Sequence, residues 1–408
     1  MKPKFLVHKT ARNRGPYFEI IKPKCYPNLA QYEGVPYKES WGKYCLHWPY
    51  TYQVDQMSYM QYFGYDFDVI TNVVDIDEFT FYPIAISFFD FDVDWFSLFD
   101  SDILELVRNK QLKVIFFYSE GDNPYRIDEH LSWQCEQYKV PREQLFFVSA
   151  NSKADDIYQF YYFMDDELMY HYSNRRSNPL PINLKNRSKK FTALARVHKW
   201  WRATIMAQFC KDNLHTQGYF GYLNQEGCGD VPEDNPIWRE PDLEEALQNF
   251  MALTPFKADD LTPDDHNDHE IVVEKHFNDA YLNVVIETHM DVDQSDGVFI
   301  TEKTFKPIKH AQLFIMFGAP GTIQMLRDYG YDVYDDIIDH SYDKEIRTTE
   351  RFQQAYQEAK RLILLPDQQW TELYRELSNR ITSNQQKFIN SKHNRIKQLW
   401  DSIYNDFN

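Results

Sequence analysis

Between residues 281 and 342 the chain repeats one grammar: an apolar run of strand length, a polar or glycine-rich loop, then a helical pattern. Residues 281–286 form the first run, and Val298, Phe299 and Ile300 form a second that ends in Thr301, Glu302 and Lys303. Helical spacing follows through Phe305, Ile308 and Ala311. Residues 313–317 then read as a strand, Gly318-Ala319-Pro320-Gly321 as a loop, and the residues up to Tyr329 as a helix closed by Gly330. This is the order of a parallel α/β sheet, whose ligands bind at the carboxyl ends of the strands.

A carboxylate beside a lysine at the start of a helix suits a nucleotide-sugar. Glu302 is placed to accept hydrogen bonds from ribose hydroxyls, while Lys303 and the N–H groups of the first helical turn would face a diphosphate. A second candidate lies upstream, where a strand over residues 191–195 runs into Arg196, His198, Lys199 and Arg202 at the start of a helix. A helix start already favours anions, and arginine can grip a phosphate through two donors.

The first half carries its own strands. Residues 112–118 form an almost continuous apolar run, as a central parallel strand does, and deliver Glu120 and Asp122 at the carboxyl end. Strands are also predicted over residues 84–89, 145–151 and 167–172. Helices are predicted over residues 101–109, with Ser101 as cap, and over 157–162. The aromatic-rich residues up to about Thr80 include Trp41, Trp48 and Tyr52; most are assigned to core, with one or two available to stack on a sugar. Residues 173–190 are basic and contain Pro179 and Pro181, which makes them the expected solvated connector between two domains. Residues 349–365 and 367–404 read as closing helices with an apolar stripe.

Metal sites are not expected. The acidic stretch at residues 90–94 has Trp95 at the sixth loop position, where a calcium loop needs glycine. His266, His269 and their acidic neighbours match no metal spacing, and Asp291, Asp293 and Asp296 precede the Glu302-Lys303 element. The balance of 44 Lys and Arg against 62 Asp and Glu, a net charge of −18, argues against nucleic acid or an anionic membrane as partner. Five cysteines without a CxxC spacing fit a reducing compartment. With no apolar run long enough for a signal peptide or a transmembrane segment, the cytoplasm is the expected location.

Three separated segments resemble the α1,3-fucosyltransferase family. Glu287-Thr288-His289 followed by Val298-Phe299-Ile300-Thr301-Glu302-Lys303 is similar to that family's donor motif; Ser119-Glu120-Gly121-Asp122-Asn123-Pro124 is similar to its Thr-Gly-Glu-Asn segment; residues 191–209 match its strand, loop and arginine-bearing helix. Gly121 stands where the family has Asn, and Ala195 where it often has Ser-Asn. The resemblance implies a GT-B fold, α/β with two Rossmann-like domains facing a cleft and a C-terminal helix crossing back. It places an acceptor-side domain at residues 1–186, a nucleotide-sugar domain at 187–365 and a helical segment at 366–408. It implies a glycosyltransferase that moves a sugar with inversion to an acceptor hydroxyl of a glycan, using GDP-fucose and no required cofactor or metal. Glu120 would be the catalytic base, with Asp122 as competitor, since inverting transfer needs a carboxylate within reach of the acceptor hydroxyl. Donor contacts would come from Glu287, Thr301, Glu302, Lys303 and Arg202, with Arg196 and Lys199 as alternatives to Arg202. Two other readings are a transferase of the phage type acting on hydroxymethylated DNA bases and a non-catalytic protein that binds nucleotides or glycans.

Overall fold

The structure is a computed structural model and describes residues 3–6, 68–70, 72–86, 89, 91, 94–118, 120–163, 178–225, 241–260, 272–290 and 297–406. The N-terminal aromatic cluster, the strand expected at residues 167–172, His266 and His269, and Asp291, Asp293 and Asp296 lie outside these residues.

Among the described residues the protein is mixed α/β, with two wholly parallel sheets, one of six strands and one of four. The chain divides into two compact units, and neither is contiguous. Unit 1 comprises Met1–Leu168, Gln294–Phe299 and Ser391–Asn408; unit 2 comprises Met169–Asp293 and Ile300–Asn390.

Unit 1 holds six strands in the order β2-β1-β3-β4-β5-β6: β1 (Lys4–Leu6), β2 (Asp68–Ile70), β3 (Thr80–Ile86), β4 (Lys113–Tyr118), β5 (Leu145–Ser149) and β6 (Phe160–Tyr162). Val114 to Tyr118 of β4 are all buried, as a strand covered on both faces must be. Helix α1 (Ser101–Arg108) has Asp100, not Ser101, at its N-cap position, and the Asp100 side chain makes no cap hydrogen bond. Helix α2 (Pro124–Tyr138) begins where the Asn123 side chain accepts from the Tyr125 and Arg126 N–H groups, with Pro124 supplying a preset φ at the first position. The helix expected over residues 157–162 is instead β6. Gln159 adopts a left-handed φ of 61°, which stops helical propagation, and Phe147, Val148 and Ser149 of β5 offer the next three residues a parallel edge. The C-terminal residues close this core: Trp400 is fully buried and meets the rings of Phe5 and Phe81 edge-on, each at 5.7 Å.

Unit 2 holds four strands in the order β10-β9-β7-β8: β7 (Lys189–Val197), β8 (Gly218–Gln225), β9 (Ala280–Ile286) and β10 (Leu313–Phe317). Helix α3 (Trp200–Lys211) follows β7, and α4 (Pro241–Leu253) follows β8. Helix α5 (Glu274–Asn278) precedes β9, α6 (Glu302–Lys309) precedes β10, and α7 (Thr322–Asp328) follows β10. Helices α8 (Thr348–Ile363), α9 (Asp367–Glu376) and α10 (Ser378–Asn405) end the chain, so the predicted final helix is broken at Leu377. Helix α10 is divided between the units at Asn390/Ser391; Phe388 stacks on Phe305 in unit 2, and Tyr161 donates to Asp406 in unit 1.

The predicted connector is exposed along most of its described residues, but two side chains in it are buried. Besides Leu180, Arg187 is 6% exposed, donates to the Phe277, Ala280 and Asn183 carbonyls, and lies over the Tyr374 ring at 4.0 Å. Val298, Phe299 and Ile300 are not a strand; Gly297 to Phe299 belong to unit 1, and Ile300 to unit 2.

Candidate functional site

In unit 2 the chain begins at β7, moves to β8 on one side, then returns to β9 on the other. Successive connections therefore diverge between β7 and β9, the kind of switch point at whose carboxyl ends parallel α/β sheets bind ligands, here called the crevice. Every donor residue predicted from the sequence lies in the two segments that leave this crevice.

Glu287 is the first residue after β9 and is completely buried. Its carboxylate accepts four hydrogen bonds: from Thr301 Oγ1 at 2.6 Å, Thr304 Oγ1 at 2.5 Å, and the Thr301 and Thr288 N–H groups at 3.2 Å each. A buried carboxylate survives only with such a set of donors. The result is a clamp that fixes the start of α6 to the end of β9. Thr301 caps α6, its Oγ1 accepting from the Lys303 N–H at 3.5 Å, and the Thr304 N–H bonds back to the Thr301 carbonyl. These first-turn N–H groups are therefore satisfied within the chain, contrary to the expectation that they face a diphosphate.

Lys303 is held by three oxygens. Its ammonium donates to Thr301 Oγ1 at 3.0 Å, Thr288 Oγ1 at 3.2 Å and Glu302 Oε2 at 3.3 Å. The Lys303 side chain is 30% exposed and that of Glu302 12%, so the ion pair borders solvent.

The β7 segment supplies the other cations. Arg196 is half-buried near the end of β7, and Arg202 is buried on the first turn of α3, where Nη1 donates to the Val197 carbonyl at 3.3 Å. Lys199, at the position preceding α3, gives it no side-chain cap, and its ammonium lies 4.7 Å from the centre of the Trp201 ring. Trp201 links the two segments, its indole N–H donating to the Glu287 carbonyl at 3.4 Å. His198 and the Tyr222 hydroxyl are 2.6 Å apart, and Trp200 packs edge-on against the imidazole.

The loop after β10 offers less to an anion. The buried Asp343 carboxylate accepts from the Ile323 and Gln324 N–H groups at the start of α7, each at 2.9 Å, so the chain's own acid occupies that helix end. Arg351, 2% exposed, ties the loops after β9 and β10 together through the Met290, Gly318, Glu345 and Ile346 carbonyls.

In unit 1, Glu120 is half-buried just beyond the carboxyl end of β4. Its competitor Asp122 receives a short hydrogen bond from the Tyr118 hydroxyl. Burial and the charges of Asp122 and Glu120 hold that phenol well above its ordinary range. The backbone of the loop is fixed by Asn151, which is fully buried and donates from Nδ2 to the Gly121 carbonyl at 2.8 Å. Among the described residues, no three His, Cys, Asp or Glu are grouped to hold a metal, and no helix is long and apolar enough to cross a membrane.

Thr288, Thr304, Trp201 and Asn151 were missed in the sequence. Thr304 alone left a usable trace, since it lies three residues after the Thr301 cap and could share its carboxylate partner. No protein-family model matches this sequence, and no curated protein is significantly similar to it.

Proposed function

We propose that the protein is a glycosyltransferase of GT-B type that takes a nucleotide-activated sugar in unit 2 and passes it to an acceptor hydroxyl. The observation that carries this reading is the β7/β9 switch point. There Glu302 and Lys303 border solvent at the start of α6, and Lys199 and Arg202 flank the start of α3. A carboxylate that can accept from vicinal hydroxyls next to fixed cations matches the ribose and diphosphate halves of such a donor. GDP-fucose is the proposed donor, on the resemblance of the donor motif, and Glu120 the proposed base, on the resemblance of residues 119–124 to the Thr-Gly-Glu-Asn segment.

Thermal shift with GDP-, UDP- and TDP-sugars tests the reading. One nucleotide class should raise the melting temperature, since a ligand selective for the native state stabilises it, and Lys303→Ala should weaken that binding about tenfold or more. If no nucleotide-sugar shifts the native protein at millimolar concentration, the reading is wrong.

A further inference from the structure

Gly297 to Phe299 form a strap across the carboxyl-terminal edge of the unit 1 sheet. Val298 exchanges two hydrogen bonds with Ser152: its N–H donates to Ser152 Oγ at 2.9 Å, and its carbonyl accepts from the Ser152 N–H at 3.0 Å. Phe299, 3% exposed, lies directly on Gly121, where an added Cβ would stand 2.5 Å from Phe299 Cβ and 2.6 Å from Cδ1. At Gly297 an added Cβ would collide with Asn151 Oδ1 and stand 2.8 Å from Lys153 Cγ. Two glycines on opposite sides of one contact thus let the strap touch the loop backbone, and Asn151 bonds to that same loop at the Gly121 carbonyl.

The strap is continuous with the donor segment. Phe299 belongs to unit 1, and two residues later Thr301 is clamped by Glu287 in unit 2, with Lys303 beyond it. We infer that Phe299 is a positioning residue of unit 1: its ring holds the Gly121 backbone, and with it the neighbouring Glu120, in one place. The inference rests on the proposed function for its ligand, while the steric contact can be tested without one.

The experiment has two arms, both on the full chain. Without ligand, Gly121→Ala lowers the melting temperature, and adding Phe299→Ala to it recovers most of the loss, because the methyl group then enters the space left by the ring; an unrescued double variant overturns the contact. With ligand, GDP affinity in Phe299→Ala stays within about threefold of native, while turnover of GDP-fucose falls about tenfold or more. Unchanged turnover in Phe299→Ala overturns the positioning role alone. Failure of GDP, UDP and TDP to bind the native chain overturns the functional reading and the positioning role together, whatever the ligand-free arm shows.

Discussion

Replacing Glu287 with glutamine changes one buried atom and tests the clamp at the crevice. The carboxylate presents two oxygens, each accepting two of the four donors, and no solvent reaches it. An amide keeps one oxygen and turns the other position into a donor. The Thr301 and Thr304 hydroxyls can rotate to accept from it, but a backbone N–H, of Thr288 or of Thr301, cannot. One buried N–H is thus left facing a donor, at about 1–3 kcal/mol, and the remaining bonds lose their charge assistance, which adds about 1 kcal/mol or more. The expected loss is about 2–4 kcal/mol, which for a unit of roughly 200 residues lowers the melting temperature by about 5–15 °C. Calorimetry of native and Glu287→Gln protein measures it, and the cycle with Thr301→Val isolates the pair, with a coupling of about 1–3 kcal/mol. Because Thr301 also receives a bond from Lys303, nucleotide affinity should fall with stability although Glu287 itself has no access to solvent. A Glu287→Gln protein that melts within about 2 °C of the native one would show that the carboxylate does not organise the start of α6.

Glu120→Gln should reduce turnover by about a hundredfold or more while nucleotide affinity stays nearly unchanged; an active variant in a sugar-transfer assay removes Glu120 as base. Trp400→Ala empties a fully buried site between Phe5 and Phe81 and should cost about 3–5 kcal/mol in urea unfolding, with a smaller effect showing that the C-terminal residues contribute little to unit 1. Burial first, and then the charges of Lys309 and Lys306, push the His310 imidazole down to about 3. Between the unfolded value near 6.5 and that folded value the unfolded chain binds a proton that the native one refuses, so stability falls as pH drops through this window, by up to about 1.4 kcal/mol per pH unit. His310→Gln should flatten this part of the stability profile, and an unchanged slope assigns the effect elsewhere.

The class of fold was legible because period and length are local properties. The run ending at Tyr118 and the runs at β9 and β10 are strands for the reason they read as strands: covered on both faces, they lack polar alternation. The basic start of α3 and the Glu302-Lys303 start of α6 were likewise visible, since strand ends and helix starts are marked in sequence by polar residues. Errors arose where a residue's role depends on a distant neighbour. Residues 298–300 are as apolar as a strand, yet their pairing partner is Ser152 and their packing partner Gly121, far away in the chain. Arg187 sits in a basic, proline-containing stretch, and only the carbonyls of Phe277 and Ala280 and the ring of Tyr374 make its burial favourable.

The sequence by itself determined two parallel α/β halves, because hydrophobic periodicity acts over a few residues. The tertiary structure decided that Glu287 serves as a buried clamp, that Asp343 fills the start of α7, and that residues 297–299 lie on the Gly121 backbone within unit 1. Hydrogen-bond satisfaction and steric exclusion reach across residues distant in the chain, and no local pattern encodes them.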